Sequence, residues 1–132
     1  MKKILLDSHA VLKWIQEEAG ARKVEDLLLA GKANRIELIM NRINLAEVHY
    51  LIIRRKGEIA GRKFMASFQQ LPVRIATMDE EIMQSATAIK AKYSISFADC
   101  FAVAAAIRER ATILTGDPEF KEVQEIVNIQ WL

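Results

Sequence analysis

The sequence predicts an α/β fold with a largely parallel central sheet of four or five short strands flanked by helices. Short apolar runs alternate along the chain with longer segments of helical periodicity, which is typical of parallel sheets joined by crossover helices. These runs show no polar–apolar alternation, as expected for strands covered on both faces. With 132 residues, five glycines, two prolines and no linker or repeat, we expect one domain over residues 1–132.

In the first half of the chain, apolar patterns and glycine stops define two strands and four helices. The run Ile4–Leu6 predicts a buried strand that ends at a carboxylate, Asp7. Gly31 and Gly57 are expected to end helices. The elements predicted in order are a strand over 4–6, helices over 8–16 and 20–31, a strand over 36–40, and helices over 43–56 and 58–70.

In the second half, capping signals mark the helix starts. Thr77 and Glu80 have the spacing of a capping box, and so do Ser96 and Asp99. Pro72 ends the preceding helix. The elements predicted in order are a strand over 73–76, helices over 77–92 and 96–110, a strand over 112–115, and a candidate fifth strand over 127–129.

Composition excludes several classes of protein. A hydrophobic content of 52% excludes a disordered tail, and 19 basic against 17 acidic residues give a net charge of +2, unlike a basic nucleic-acid-binding arm. A single cysteine, Cys100, excludes an internal disulfide and a multi-cysteine zinc site. The N-terminal apolar run stops at Asp7, and no window approaches the roughly 20 apolar residues of a membrane span. We therefore expect a soluble, cytoplasmic protein.

Four carboxylates are expected to converge at one edge of the sheet. Asp7 ends the first strand, Asp117 follows the fourth, and Glu47 lies near the start of the helix after the second. Asp99 lies in the first turn of the helix before the fourth strand, and that helix must begin at the carboxyl edge if the strand is parallel to the first. All four should then lie within about one helical turn of the edge where such sheets bind ligands.

Three of these carboxylates also have a purely structural interpretation. Asp7 and Asp117 are suited to cap helices, the latter with Pro118 at the first helical position. Asp99 is suited to be the partner of Ser96 in a capping box. The sequence leaves both interpretations open.

Glu47 is harder to explain as a structural residue. Its neighbours on the same helical face are apolar, so its charge needs either a cation or Arg54, seven residues further on. A divalent metal would relieve the repulsion among all four carboxylates, and oxygen ligands favour Mg²⁺ or Mn²⁺. Such an ion polarises phosphate oxygens, which predicts attack of water on a phosphodiester.

Four segments carry a resemblance to a known family. They are ILLDSHAVL at 4–12, INLAEV at 43–48, SFADCFAVAAA at 96–106 and ILTGDPEF at 113–120. In this order and spacing the chain resembles PIN-domain ribonucleases of the VapC type, the toxins of bacterial and archaeal toxin–antitoxin pairs.

The resemblance implies a single PIN-like domain that cleaves RNA internally with Mg²⁺ or Mn²⁺. It also implies three partners: an RNA substrate, a cognate antitoxin protein and a second copy of the chain in a homodimer. The site residues that it implies are the catalytic metal ligands Asp7, Glu47, Asp99 and Asp117, with Ser8 and Thr115 as supporting polar residues.

Three features remain open to two interpretations each. Arg54, Arg55 and Lys56 are either a solvated helix end or contacts for RNA phosphates. His9 is near enough to the predicted edge to touch substrate, whereas His49 should point elsewhere. The helices over 43–56 and 58–70 are apolar around much of their circumference, so they either cover each other or form the homodimer interface.

Other functions fit less well. A phospho-signalling receiver needs a phosphoacceptor aspartate after its third strand, where this chain has Ala76, Thr77 and Met78. A dehalogenase-type phosphatase needs a second aspartate at the position of His9. The remaining alternative is a non-cleaving PIN-like module that binds RNA or a protein.

Overall fold

The computed structural model describes all 132 residues and has a five-stranded parallel sheet with helices on both faces, which confirms the predicted fold class. None of the helices has the length and hydropathy of a membrane span. The strands are β1 (Lys3–Leu6), β2 (Glu37–Met40), β3 (Val73–Ile75), β4 (Thr112–Thr115) and β5 (Ile129–Trp131). The helices are α1 (Ser8–Ile15), α2 (Ala21–Lys32), α3 (Arg42–Lys56), α4 (Glu58–Phe68), α5 (Glu80–Lys92) and α6 (Phe97–Glu109), with a 3₁₀-helix over Pro118–Val123.

The central strand of the sheet is β1, and the strand order is β3-β2-β1-β4-β5. Leu6 at the end of β1 is in register with Met40 of β2 and Leu114 of β4. The carboxyl ends of the three inner strands therefore meet at one edge, where the chain leaves the sheet at Asp7, Asn41 and Gly116.

Helices bury both faces of the sheet. Leu5, Ile39 and Ile113 pack into a core with α5 and α6, whereas Leu6 and Leu114 pack into a second core with α1, α2, α3 and α4. Because alternate residues of the three inner strands point into different cores, positions 4–6, 38–40 and 113–114 are all apolar, and the polar residues of these strands lie at their ends. This accounts for the strands that read as uninterrupted apolar runs.

The predicted start of the fifth helix is wrong. α5 begins at Glu80, and its cap is Asp79 rather than Thr77. The Asp79 carboxylate accepts a hydrogen bond from the backbone N–H of Ile82 at 3.0 Å and is also bound by Arg108 at 2.9 Å. Asp79 is itself a favoured cap, and the Arg108 contact fixes it in place.

The fifth strand is present, but two residues later than predicted. β5 spans Ile129–Trp131 instead of 127–129, and Ile129 is the residue in register with Ile113. Val127 is buried in the core before the strand begins. Val127 therefore packs in the core but takes no part in the pairing of β5 with β4.

The apolar surface of α3 is largely covered within the chain. Gly57, with φ of +92°, turns the chain from α3 into α4, so the two helices pack side by side. A Cβ on Gly61 of α4 would lie 2.6 Å from Cγ1 of Ile53, so the two helices are in close contact there. Tyr50 remains exposed. The residues of α3 that face the core are Leu45, Val48 and Ile52. This favours mutual coverage of α3 and α4, and the homodimer remains a prediction.

Candidate active site at the carboxyl edge of the sheet

Asp7 is fixed by hydrogen bonds to both of its carboxylate oxygens. It is only 1% exposed, directly after β1. Oδ1 accepts from the backbone N–H of Ala10 at 2.8 Å, which caps α1, and Oδ2 accepts from the Thr115 hydroxyl at 2.5 Å. The Thr115 oxygen in turn accepts from the backbone N–H of Asp117 at 2.9 Å. One chain of hydrogen bonds therefore joins the ends of β1 and β4.

Three more carboxylates lie together beside Asp7. The Ser96 hydroxyl accepts from the backbone N–H of Asp99 at 3.2 Å and so starts α6 at this edge. Asp117 caps the 3₁₀-helix by accepting from the backbone N–H of Glu119 at 3.0 Å. One carboxylate oxygen each from Asp99, Asp117 and Glu119 lies within 4.8 Å of the other two. The capping interpretations of Asp7 and Asp117 are therefore confirmed, and Asp117 is both a cap and a member of the carboxylate cluster.

Glu47 reaches this group from α3. Its Oε1 accepts from the side-chain amide of Asn44, one turn earlier, at 2.9 Å. Glu47 is close enough to raise the pKa of Asp99 by charge repulsion. The predicted alternative of Arg54 as its partner is wrong, because none of the ion pairs within 4.0 Å joins Arg54 to Glu47. The Arg54 guanidinium lies over the Tyr50 ring instead, 5.4 Å from its centre. We call the five carboxylates Asp7, Glu47, Asp99, Asp117 and Glu119 the acidic edge.

Two carboxylates of the acidic edge, Asp7 and Asp99, have raised pKa values. Burial is the main reason that the pKa of Asp7 rises from 3.8 to about 7, and repulsion from Asp99 and Asp117 adds to it, against the hydrogen bonds from Thr115 and Ala10. Burial also raises the pKa of Asp99 to about 6, with repulsion from Asp117, Glu47 and Glu119 as further causes. Uncompensated negative charge is therefore unfavourable here.

The donor set fits a divalent cation with oxygen ligands. The acidic edge offers only carboxylate oxygens, which Mg²⁺ and Mn²⁺ prefer, and the charge of an ion would offset the repulsion that raises the two pKa values. Two buried side-chain polar atoms lack a hydrogen-bond partner, Oδ1 of Asn44 and Nδ1 of His9. Both belong to residues that border the acidic edge. Buried polar atoms without a hydrogen-bond partner are rare in proteins, and a bound ion is one way in which such an atom is satisfied.

Several residues singled out in the sequence lie away from the acidic edge. Lys56 comes nine residues after Glu47 on α3, about 13 Å along the helix axis, and Arg54 and Arg55 are next to it. The His49 ring lies 3.3 Å from the Cβ position of Gly61, between α3 and α4. Ser8 begins α1 but takes no part in the hydrogen bonds of the edge. The roles proposed for the basic residues and for Ser8 stay predictions.

Two residues at the edge were not found from the sequence, Glu119 and Asn44. Glu119 follows a proline at the first helical position, a signal that places it in a first turn beside Asp117. Asn44 is fully buried one turn before Glu47, and the i, i+3 spacing was the available signal. Neither signal is specific on its own.

The fold and site together define a class: parallel α/β proteins with a carboxylate cluster at the carboxyl ends of the inner strands. The sequence matches the PIN domain family over residues 4–126, which is most of the chain. The chain therefore belongs to the PIN domain family, as its four motifs predicted. No curated protein shows significant sequence similarity to it.

Solved structures share the fold over nearly the whole chain. A chain of the VapBC2 structure from Rickettsia felis, bound to a fragment of promoter DNA, has a TM-score of 0.76 at 19% identity and covers 98% of each chain. A chain of the DNA-bound VapBC structure from Salmonella typhimurium has a TM-score of 0.75 at 14% identity, covering 99% of this chain and 98% of that one. VapC20 from Mycobacterium tuberculosis, described as a toxin that cleaves the Sarcin–Ricin loop, has a TM-score of 0.71 at 17% identity, covering 91% and 94%.

Proposed function

We propose that this chain, with its nuclease domain over residues 1–132, is a metal-dependent endoribonuclease that hydrolyses RNA phosphodiester bonds. The observation that carries the proposal is the acidic edge, where four separate segments supply carboxylates to one place and two of these have raised pKa values. Membership of the PIN family, and a fold shared with a toxin described as cleaving the Sarcin–Ricin loop, support RNA as the substrate class.

The acidic edge provides both converging carboxylate oxygens and further negative charge for the ion. Asp99, Asp117 and Glu119 already have their oxygens within 4.8 Å of one another, so they can converge on one Mg²⁺ or Mn²⁺. Asp7 and Glu47 complete the negative charge around it. Bound there, the ion would polarise the phosphate and make water a stronger nucleophile.

The residues around these carboxylates hold them in position. Thr115 and the backbone N–H of Ala10 each occupy one lone pair of an Asp7 oxygen, so the remaining lone pairs keep a fixed direction. Asn44 does the same for Glu47. Rigid ligands of this kind lower the reorganisation needed in the transition state, which is how such sites gain rate.

The biological role that we propose is that of a VapC-type toxin. Several solved structures with this fold are VapBC toxin–antitoxin assemblies, which supports a small cognate antitoxin as the protein partner of this chain. The proposal includes a cytoplasmic location, where RNA is available, and a homodimer. Under it Arg54, Arg55 and Lys56 line an RNA-binding groove between the two protomers, and Ser8 supports the acidic edge.

The decisive experiment is incubation of purified protein with cellular RNA in Mg²⁺ or Mn²⁺, in parallel with excess EDTA. We expect internal cleavage that EDTA abolishes. Asp99→Asn protein, purified identically, controls for contaminating nuclease. Undiminished cleavage in EDTA would refute metal dependence. RNA binding without cleavage under any metal would favour the alternative of a non-cleaving RNA-binding module.

A further inference from the structure

Two side chains of α1 close over Gly116, at the point where β4 leaves the sheet. A Cβ at this glycine would lie 3.0 Å from Cε1 of His9 and 3.0 Å from Cε of Lys13. These distances are shorter than ordinary contacts, so the absence of a side chain at residue 116 is what lets both residues approach. Gly116 directly precedes Asp117 of the acidic edge.

The Lys13 side chain extends from α1 towards the acidic edge. Helical side chains lean towards the N-terminus of their helix, and α1 begins at the edge with its cap, Asp7. The stem of Lys13 is half-buried, with Cδ at 3.7 Å from the Cβ position of Gly20 and Cε against Gly116. The ammonium follows Cε by one bond, so it lies beside the segment that carries Asp117.

This ammonium has no carboxylate partner. None of the ion pairs within 4.0 Å involves Lys13, although the acidic edge begins one residue beyond Gly116. A cation held by its stem next to a carboxylate cluster, but not paired with it, is free to bind an anion. A polyanionic substrate is repelled by the acidic edge and therefore needs fixed cations at its rim.

We propose that Lys13 is a substrate-binding residue that contacts an RNA phosphate next to the one cleaved at the acidic edge. This inference rests on the proposed ribonuclease function. The His9 ring, which also lies against Gly116, limits the movement of the Lys13 side chain. The contact is to the backbone and so adds affinity for RNA of any sequence.

The test compares Lys13→Met, which keeps the stem and removes the charge, with Lys13→Arg and with Lys23→Met. Lys23 is an exposed lysine on α2 that makes no ion pair and serves as the control. Binding of a fluorescently labelled single-stranded RNA is measured against salt concentration, with every variant in the Asp99→Asn background to prevent cleavage. For Lys13→Met we expect affinity to fall about three- to tenfold and the salt slope to shrink by about 0.7, the value for one phosphate contact on a single strand.

In otherwise wild-type protein, KM for RNA should rise by a similar factor in Lys13→Met while kcat stays within about twofold. Lys13→Arg should restore binding, and Lys23→Met should behave as the parent. An unchanged salt slope in Lys13→Met, with cleavage by the wild type intact, overturns the role of Lys13 and leaves the ribonuclease standing. A lower thermal stability with unchanged RNA affinity likewise overturns it, because Lys13 would then serve only to balance the carboxylates. If the wild type neither binds nor cleaves RNA, the proposed function and this inference both fail.

Discussion

The Thr115 hydroxyl donates a hydrogen bond to Oδ2 of Asp7 and accepts one from the backbone N–H of Asp117. The two aspartates follow different strands, so this single hydroxyl links the residues that leave β1 and β4 where the site forms. It also lowers the pKa of Asp7, against the larger effect of burial. Thr115 is itself fully buried and has no solvent to replace these bonds.

Replacing this hydroxyl should therefore affect both stability and activity. Thr115→Val keeps the shape but leaves a buried carboxylate oxygen and a backbone N–H without their partner, which we expect to lower the free energy of unfolding by about 1–3 kcal/mol. RNA cleavage should fall at least about tenfold, since a misplaced ligand is costly to the rate. Urea denaturation and a cleavage assay measure the two effects. Thr115→Ser retains the hydroxyl and should lose much less, so equal losses in both variants would show that the methyl group matters instead.

Amide substitutions separate the metal-ligand role of the carboxylates from their capping role. Asp7→Asn, Glu47→Gln, Asp99→Asn and Asp117→Asn each keep the shape and remove a negative charge. Asparagine caps helices about as well as aspartate, so the fold should survive, and the metal-free variants should be as stable as the parent or more so. Cleavage should drop by at least about two orders of magnitude.

The matched control for this series is Asp26→Asn, an exposed aspartate of α2 far from the edge in sequence. It should be fully active. Retention of activity in all four amide variants would return Asp7 and Asp117 to the role of simple caps.

The stability of the metal-free protein should fall as pH rises. The folded-state pKa values of Asp7 and Asp99, about 7 and about 6, exceed the ordinary value of 3.8. Between about pH 4 and 7 the folded protein therefore binds more protons than the unfolded chain, so the free energy of unfolding declines through this range, by a few kcal/mol in order of magnitude. Thermal melts in EDTA from about pH 5 to 8 measure the decline.

Two comparisons make the pH experiment specific. Asp7→Asn should give a shallower decline, and added Mg²⁺ should flatten the wild-type curve because the ion stabilises the ionised carboxylates. A metal-free melting temperature that is constant or rises over this range contradicts the prediction.

Expression of the protein should arrest growth if it acts as a toxin. RNA cleavage inside the cell is the cause that we propose, so Asp99→Asn should relieve the arrest at equal protein levels. Co-expression of a small protein encoded next to the gene should do the same. Colony counts measure the growth arrest, and immunoblots measure the protein levels. Harmless overexpression of a wild type that cleaves RNA in vitro would count against the toxin role alone.

The homodimer is open to a direct measurement of mass. Sedimentation equilibrium at micromolar concentration should give about twice the protomer mass of 15.0 kDa. Tyr50, the apolar residue of α3 that stays exposed, is the natural contact, so Tyr50→Glu should shift the mass to that of one protomer. A wild-type mass near 15.0 kDa would reject the dimer and the groove between protomers.

The sequence predicts correctly those features of the site that follow from chain topology. Asp7 and Asp117 were expected together because parallel strands end at one edge, and this needs no knowledge of side chains. The predictions were wrong or incomplete for contacts that depend on the direction of a side chain. Arg54 lies on the same face of α3 as Glu47, but its guanidinium lies over the Tyr50 ring, and Glu47 accepts a hydrogen bond from Asn44 instead. Glu119 joins the edge because a 3₁₀-helix follows Asp117; Pro118 indicates a helix start there, but not that the Glu119 carboxylate lies near those of Asp99 and Asp117.

The pairing of β1 with β4 has a consequence for the order in which the molecule is made. Ile4 and Thr112 are neighbours in the sheet although more than a hundred residues separate them in the chain. Contacts of such long range slow folding, since the entropy of closing a large loop must be lost before they form. Asp7 precedes Thr115 and Asp117 by more than a hundred residues, so a nascent or truncated polypeptide that stops before β4 lacks part of the acidic edge. The proposed cleavage of RNA would therefore begin only after β4 has been translated and paired with β1.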